Sequence, residues 1–181
     1  MSFLSNRVNQ LAESETLAMS RLAGELKEKG VDVINMSLGE PDFHTPDFIK
    51  AAAKEAVDKN FSYYTPVPGY KDLLEAVCEK FKRDNGLSYK PSQIVTSTGA
   101  KQSIINVIMA TVNPGDEVIL PAPYWVSYAE MVTLNEGKVV SIETSYETDF
   151  KISPAQLERA ITPKTKAFLF SNPCNPTGTL Y

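Results

Sequence analysis

From residue 93 to residue 170 the chain alternates short apolar runs with stretches of helix length, and this alternation restricts the possible folds more than any other feature. Residues 93–97, 117–120, 138–143 and 167–170 have the length and composition of strands, while 100–111, 124–135 and 154–161 have those of helices. Parallel strands must be joined by crossovers long enough to hold a helix, and these spacings supply them. The expectation is an α/β fold: three layers, α-β-α, with a mostly parallel sheet and helices on both faces.

Ahead of this region, Leu17, Ala18, Leu22 and Leu26 recur at helical spacing, so a helix is expected over 14–29, stopped by Gly30. Residues 33–37 read as a short strand leading into Leu38-Gly39-Glu40-Pro41-Asp42, a loop rich in breakers. Pro46 opens a second expected helix, running to about Lys59 with Thr45 as its cap. Residues 60–69, with Phe61, Tyr63, Tyr64, Pro66 and Pro68, fit neither period and read as an ordered loop. A third helix is expected over 70–85, ended by Gly86.

Bulk properties exclude several classes of function. A formal charge of −4 provides no basic field for nucleic acid or an anionic membrane, so any bound phosphate needs a local site. No apolar run approaches the roughly 20 residues of a membrane span. Residues 1–10 lack the charged head and apolar middle of a secretory signal. The only cysteines, Cys78 and Cys174, have no metal-ligand spacing, so a reduced cytoplasmic setting is expected. The single histidine, His44, reads as a surface-loop residue without an orienting partner, and Cys174 as a small buried filler.

Three expected strand ends carry unusual residues, and open α/β sheets place ligands beyond the carboxyl ends of their strands. The first is Thr96-Ser97-Thr98-Gly99-Ala100-Lys101-Gln102. Its small residues let backbone N–H groups at a helix start face an anion, although a capped tight turn would look the same. The spacing matches neither a P-loop nor a dinucleotide fingerprint. The second, Pro121-Ala122-Pro123-Tyr124-Trp125, holds the only tryptophan, suited to stacking on an aromatic ligand or to packing in a core. The third is Ser171-Asn172-Pro173-Cys174-Asn175-Pro176-Thr177-Gly178. Its two Asn-Pro pairs impose a constrained extended backbone that can hold an asparagine amide as a fixed donor, or can simply make a rigid turn.

These strings, with Ser-Leu-Gly-Glu-Pro-Asp-Phe at 37–43 and Tyr-Tyr-Thr-Pro-Val-Pro-Gly at 63–69, resemble class I pyridoxal-phosphate-dependent aminotransferases of fold type I. The likeness is strongest to bacterial aspartate aminotransferases, and the five strings keep family order and spacing from end to end. The resemblance implies an N-terminal arm and small-domain segment over 1–45, and the first part of the large cofactor-binding domain over 46–181. It implies that Gly99, Ala100 and Lys101 offer N–H groups to the phosphate of pyridoxal 5'-phosphate. Trp125 would stack on the pyridine ring, and Asn175 would donate to its phenolic oxygen. Gly39, with Trp125 and Asn175, would meet the substrate, and Tyr64 would reach the cofactor of the other subunit in a homodimer. The implied reaction moves an amino group between an amino acid and a 2-oxo acid.

The sequence departs from that pattern in what it lacks. The Ser-Xaa-Xaa-Lys lysine that forms the Schiff base is missing, as are the aspartate that pairs the pyridine nitrogen and the arginine that grips the α-carboxylate. No catalytic residue is therefore assigned within these residues. Thr148-Asp149-Phe150-Lys151 is the nearest approach and reads as an exposed, solvated lysine. The resemblance implies a seven-stranded sheet of which this chain supplies four core strands, leaving unpaired edges and an uncovered apolar face. The expectation is an N-terminal portion, inactive alone. Two other readings stay open: a pyridoxal-phosphate lyase of the same fold, and a non-catalytic cofactor-binding fragment. Relatives that accept prephenate use a lysine near the N-terminus, and Gln10-Leu11-Ala12-Glu13 has none.

Overall fold

Local sequence signals account for most helix limits in the computed structural model, which describes residues 3–12 and 15–181. The helices, in chain order, are α1 (Asn6–Asn9), α2 (Glu15–Glu28), α3 (Asp47–Asp58), α4 (Lys71–Asn85), α5 (Gly99–Thr111), α6 (Ser127–Leu134) and α7 (Pro154–Ala160). The strands are β1 (Glu117–Ala122), β2 (Lys138–Glu143) and β3 (Thr165–Phe168). Gly30 (φ +80°) ends α2 with N–H bonds from Gly30 to Lys27 O (2.9 Å) and from Val31 to Leu26 O (3.0 Å). Gly86 closes α4 in the left-handed conformation, as its position in the sequence indicates. At the start of α7, Ser153 Oγ accepts from Gln156 N–H while the Gln156 side chain accepts from Ser153 N–H, a reciprocal cap. Ser14, the first residue of the helix expected over 14–29, lies outside the described residues.

The chain divides into two compact units, residues 1–37 with 104–181, and residues 38–103. In the first unit all three strands are parallel, in the order β2-β1-β3. The central strand β1 buries Val118, Ile119 and Leu120 completely. Side chains alternate across a strand, so Val118 and Leu120 share one face, where Ile108 and Val112 of α5 and Tyr128 and Val132 of α6 complete the core. The chain moves from β1 to β2 in one direction and from β2 past β1 to β3 in the other. With right-handed crossovers, α6 and α7 then lie on opposite faces. This gives the expected α/β layering around Ile119 as well as around Leu120.

At the amino end of β1, the buried Glu117 carboxylate accepts from Thr162 Oγ1 at 2.6 Å and meets Lys138 Nζ at 3.4 Å. Glu117 N–H donates to Lys164 O at 2.8 Å, so this one residue ties the β3 approach to β1 and β2. The Thr162 hydroxyl holds the Glu117 carboxyl below its ordinary value of 4.5; partial burial opposes this, and Lys138 and Lys164 add to the lowering.

The second unit carries α3, α4 and a 3-10 turn at Pro91–Gln93, with Leu74 buried and the Phe81 and Tyr89 rings packed edge to face at 5.4 Å. Residues 60–69 form the irregular loop expected of them.

Several boundaries differ from expectation. Residues 33–37 form no strand; Asn35 Oδ1 instead accepts from the N–H and hydroxyl of Ser37. Residues 93–97 form none either, although Ile94 has strand dihedrals (φ −110°, ψ 135°). A ladder needs a partner, and none pairs with them among the described residues, so the sheet has three strands rather than four. Pro46, not Thr45, is the residue before α3, with no side-chain cap. The helix expected from Tyr124 begins three residues later, at Ser127.

Candidate active site

Because the strands are parallel, the segments leaving β1, β2 and β3 emerge at the same edge of the sheet. Two side-chain hydrogen bonds tie these three segments together. The Thr144 hydroxyl, just after β2, donates to the carbonyl of Ala122, the last residue of β1. The next carbonyl, that of Pro123, accepts from the Cys174 thiol at 3.6 Å. The peptide bonds before Pro123, Pro173 and Pro176 are all cis, which the sequence had not decided for Pro123 and Pro176.

The Cys174 loop is closed on itself. Cys174 N–H donates to Thr179 O (2.9 Å), Gly178 N–H returns to Cys174 O (2.8 Å), and Asn175 N–H donates to Ser171 Oγ (3.0 Å). Gly178, with φ of +74°, supplies the left-handed turn this closure requires. Asn175 is thereby held by its backbone while it is exposed to solvent. Cys174 is half-buried and bonded rather than a buried filler, because its thiol spans to the neighbouring loop.

Trp125 is half-buried, set edge-on to Tyr128 with ring centroids 5.3 Å apart and planes at 89°. It packs at the margin of the core cluster. Burial first, and then the nearby charges of Glu143 and Glu130, raise the pKa of Tyr124 above the ordinary phenol value.

In the second unit, Gly99, Ala100 and Lys101 form the exposed first turn of α5. Gly99 has φ of +80°, and a Cβ built there meets nothing within 4 Å. Its N–H donates to Ser97 O at 2.9 Å, and the Gln102 side chain accepts from Thr98 N–H. A 13-residue helix directs the positive end of its dipole at this open turn, an arrangement suited to an anion. Thr96 ties this region to the aromatic loop: its N–H (2.9 Å) and its hydroxyl (3.0 Å) both donate to Pro68 O. Tyr64, on that loop, is fully exposed. Gly39 lies in an irregular stretch where a Cβ would meet nothing within 4 Å, so no packing neighbour among the described residues demands glycine.

The structure therefore brings the Trp125 and Asn175 loops together in one unit, and sets Gly99, Ala100 and Lys101 in a single turn of the other. Gly39 and Tyr64 occupy separate irregular stretches of that second unit. His44 is exposed. Lys151 pairs with Asp149 at 2.6 Å and is half-buried, where a fully solvated lysine was expected. Among the described residues no cluster of His, Cys, Asp or Glu could hold a metal ion, and no helix is long and apolar enough to cross a membrane.

The family model for aminotransferases of class I and II matches residues 31–181. The chain belongs to that family. It is 54% identical over its full length to an aspartate/prephenate aminotransferase of Cereibacter sphaeroides, covering 45% of that protein. Over 178 residues, 98% of the chain, it is 48% identical to an aspartate aminotransferase of Bacillus subtilis, again covering 45% of it. Among solved structures, the aspartate aminotransferase of Rhizobium meliloti superposes over the whole chain with a TM-score of 0.95 at 41% identity, the chain covering 45% of it. That of Thermus thermophilus with maleate gives 0.94 at 45% identity and 47% coverage. The chain thus spans about half the length of the aminotransferases it matches. Over that half, its α/β fold is theirs.

Proposed function

We propose that the protein containing this chain transfers an amino group between an amino acid, aspartate foremost, and a 2-oxo acid, with pyridoxal 5'-phosphate as cofactor. The observation that carries this reading is the joining of the Trp125 and Asn175 loops through Pro123 and Cys174 at the carboxyl edge of the sheet. A flat aromatic ring and an amide carried on a closed backbone loop are what a planar heteroaromatic ring with an oxygen substituent needs, one for its face and the other for its edge.

The residues present fit the cofactor. The open first turn of α5 would take its phosphate on the backbone N–H groups of Ala100 and Lys101, because that of Gly99 already donates to Ser97 O. Trp125 would cover one ring face and keep water from it. Asn175 would donate to the ring oxygen and favour its anionic form. Bound there, the cofactor supplies an electron sink for the carbanion left when the substrate's α-proton departs. Gly39 would leave room for the substrate carboxylate. Tyr64 and its exposed neighbour Val67 fit a homodimer in which the tyrosine serves the partner's site. The lysine that bonds the cofactor is not among these residues, and Lys151 is held by Asp149. Gln10-Leu11-Ala12-Glu13 carries no lysine, which favours aspartate over prephenate; Glu13 lies outside the described residues. The reduced thiols accord with a cytoplasmic setting.

The test is the full natural chain loaded with pyridoxal phosphate and given L-aspartate and 2-oxoglutarate. Formation of glutamate and oxaloacetate in equal amounts is expected. Turnover of the amino acid without any 2-oxo acceptor would indicate a lyase and overturn the proposal.

A further inference from the structure

The segment that carries Trp125 is gripped from two sides by residues that the sequence reading left out of the site. Ala122 and Pro123 present consecutive carbonyls where β1 turns toward Trp125. The first accepts from the Thr144 hydroxyl, which belongs to the segment leaving β2. The second accepts from the Cys174 thiol, which belongs to the loop leaving β3. Thr144 and Cys174 are both half-buried, so each bond is partly shielded from competing water. Cys174 is also fixed by its own backbone, through Thr179 and Gly178, and it immediately precedes Asn175.

We propose that Thr144 and Cys174 are positioning residues that set the Trp125 ring and the Asn175 amide in register with one another. This rests on the proposed pyridoxal-phosphate function of the same site. A thiol suits the span better than a hydroxyl. At 3.6 Å the sulfur–oxygen contact is an ordinary one, whereas a serine oxygen, on a shorter bond and needing a closer approach, would fall short by about 1 Å. Stacking and amide donation act on the same ring, so an error in either loop changes the electronic environment of that ring as well as its fit. A displacement of about 1 Å in such a site lowers rates by up to about a hundredfold.

The experiment compares Thr144→Val, Cys174→Ala and the double variant in the full natural chain loaded with pyridoxal phosphate, with Cys78→Ala as control. Valine keeps the shape of threonine and removes only the hydroxyl. Each single variant is expected to lower kcat/KM about tenfold and to shift the pH midpoint of the bound cofactor's visible absorbance, while Cys78→Ala leaves both unchanged. The double variant should lose less than the product of the two single losses, because both residues hold one segment. Kinetics and absorbance midpoints equal to those of the parent overturn the proposal, whether or not thermal stability falls. If Cys174→Ala does not fold, Cys174→Ser takes its place, with a smaller shift in the same direction expected and no shift overturning the proposal. A parent protein that binds no pyridoxal phosphate overturns the proposed function and this inference together. A competent parent with indifferent variants overturns this inference alone.

Discussion

A methyl group at position 69 would sit 2.5 Å from Thr96 Oγ1, on a backbone whose φ is already +118°. Glycine is therefore required twice, by conformation and by the close approach of Thr96. The Thr96 side chain cannot move away without losing its bond to Pro68 O. Gly69→Ala is expected to destabilise the second unit by about 1–3 kcal/mol, seen as a lower urea midpoint in the full natural chain; an unchanged midpoint would refute this account of Gly69. The string around Gly69 was legible in the sequence as a family mark, but its cause was not, because Thr96 lies far away along the chain. Cys174 illustrates the same limit. Its constrained loop could be read from Asn172-Pro173 and Asn175-Pro176, whereas the acceptor for its thiol, Pro123 O, becomes a neighbour only when β1 and β3 pair.

At the scale of elements, helices were read more accurately than strands. The stops at Gly30 and Gly86 and the start at Pro154 depend on residues within one turn of the helix end. The strands at 117–120 and 138–143 were placed well because their apolar runs are bounded by turn residues. Residues 33–37 and 93–97 have similar composition and form no ladder, since strand formation depends on a partner that local sequence does not encode. Nothing local marks Glu117 in the sequence, although it joins β1, β2 and the approach to β3. Its folded pKa is lowered, chiefly by the Thr162 hydroxyl, so its contribution to stability is present above the unfolded value and lost as pH falls through the folded one. The thermal midpoint of the parent is expected to exceed that of Glu117→Gln at neutral pH, with the gap closing as pH drops below 4.5. A gap independent of pH would mean that the charge does not matter there.

For the molecule as a whole, the alternating pattern was enough to give a parallel α/β sheet, and the five strings were enough to give the family. Strand order was not legible. The order β2-β1-β3 arises from the crossover past β1, and it is what places the Thr144 and Cys174 loops on either side of the Pro121–Trp125 segment. Met36, Tyr64 and Val67, all in irregular segments, remain almost fully exposed. In the proposed function these residues would cradle a cofactor whose covalent anchor lies elsewhere in the protein. The most direct test is to load the full natural chain with pyridoxal phosphate, reduce with borohydride, and locate the adduct by intact and peptide mass. One reduced cofactor per chain is expected, on a lysine that is not among residues 1–181. No specific adduct, or one on Lys101 or Lys151, would contradict it.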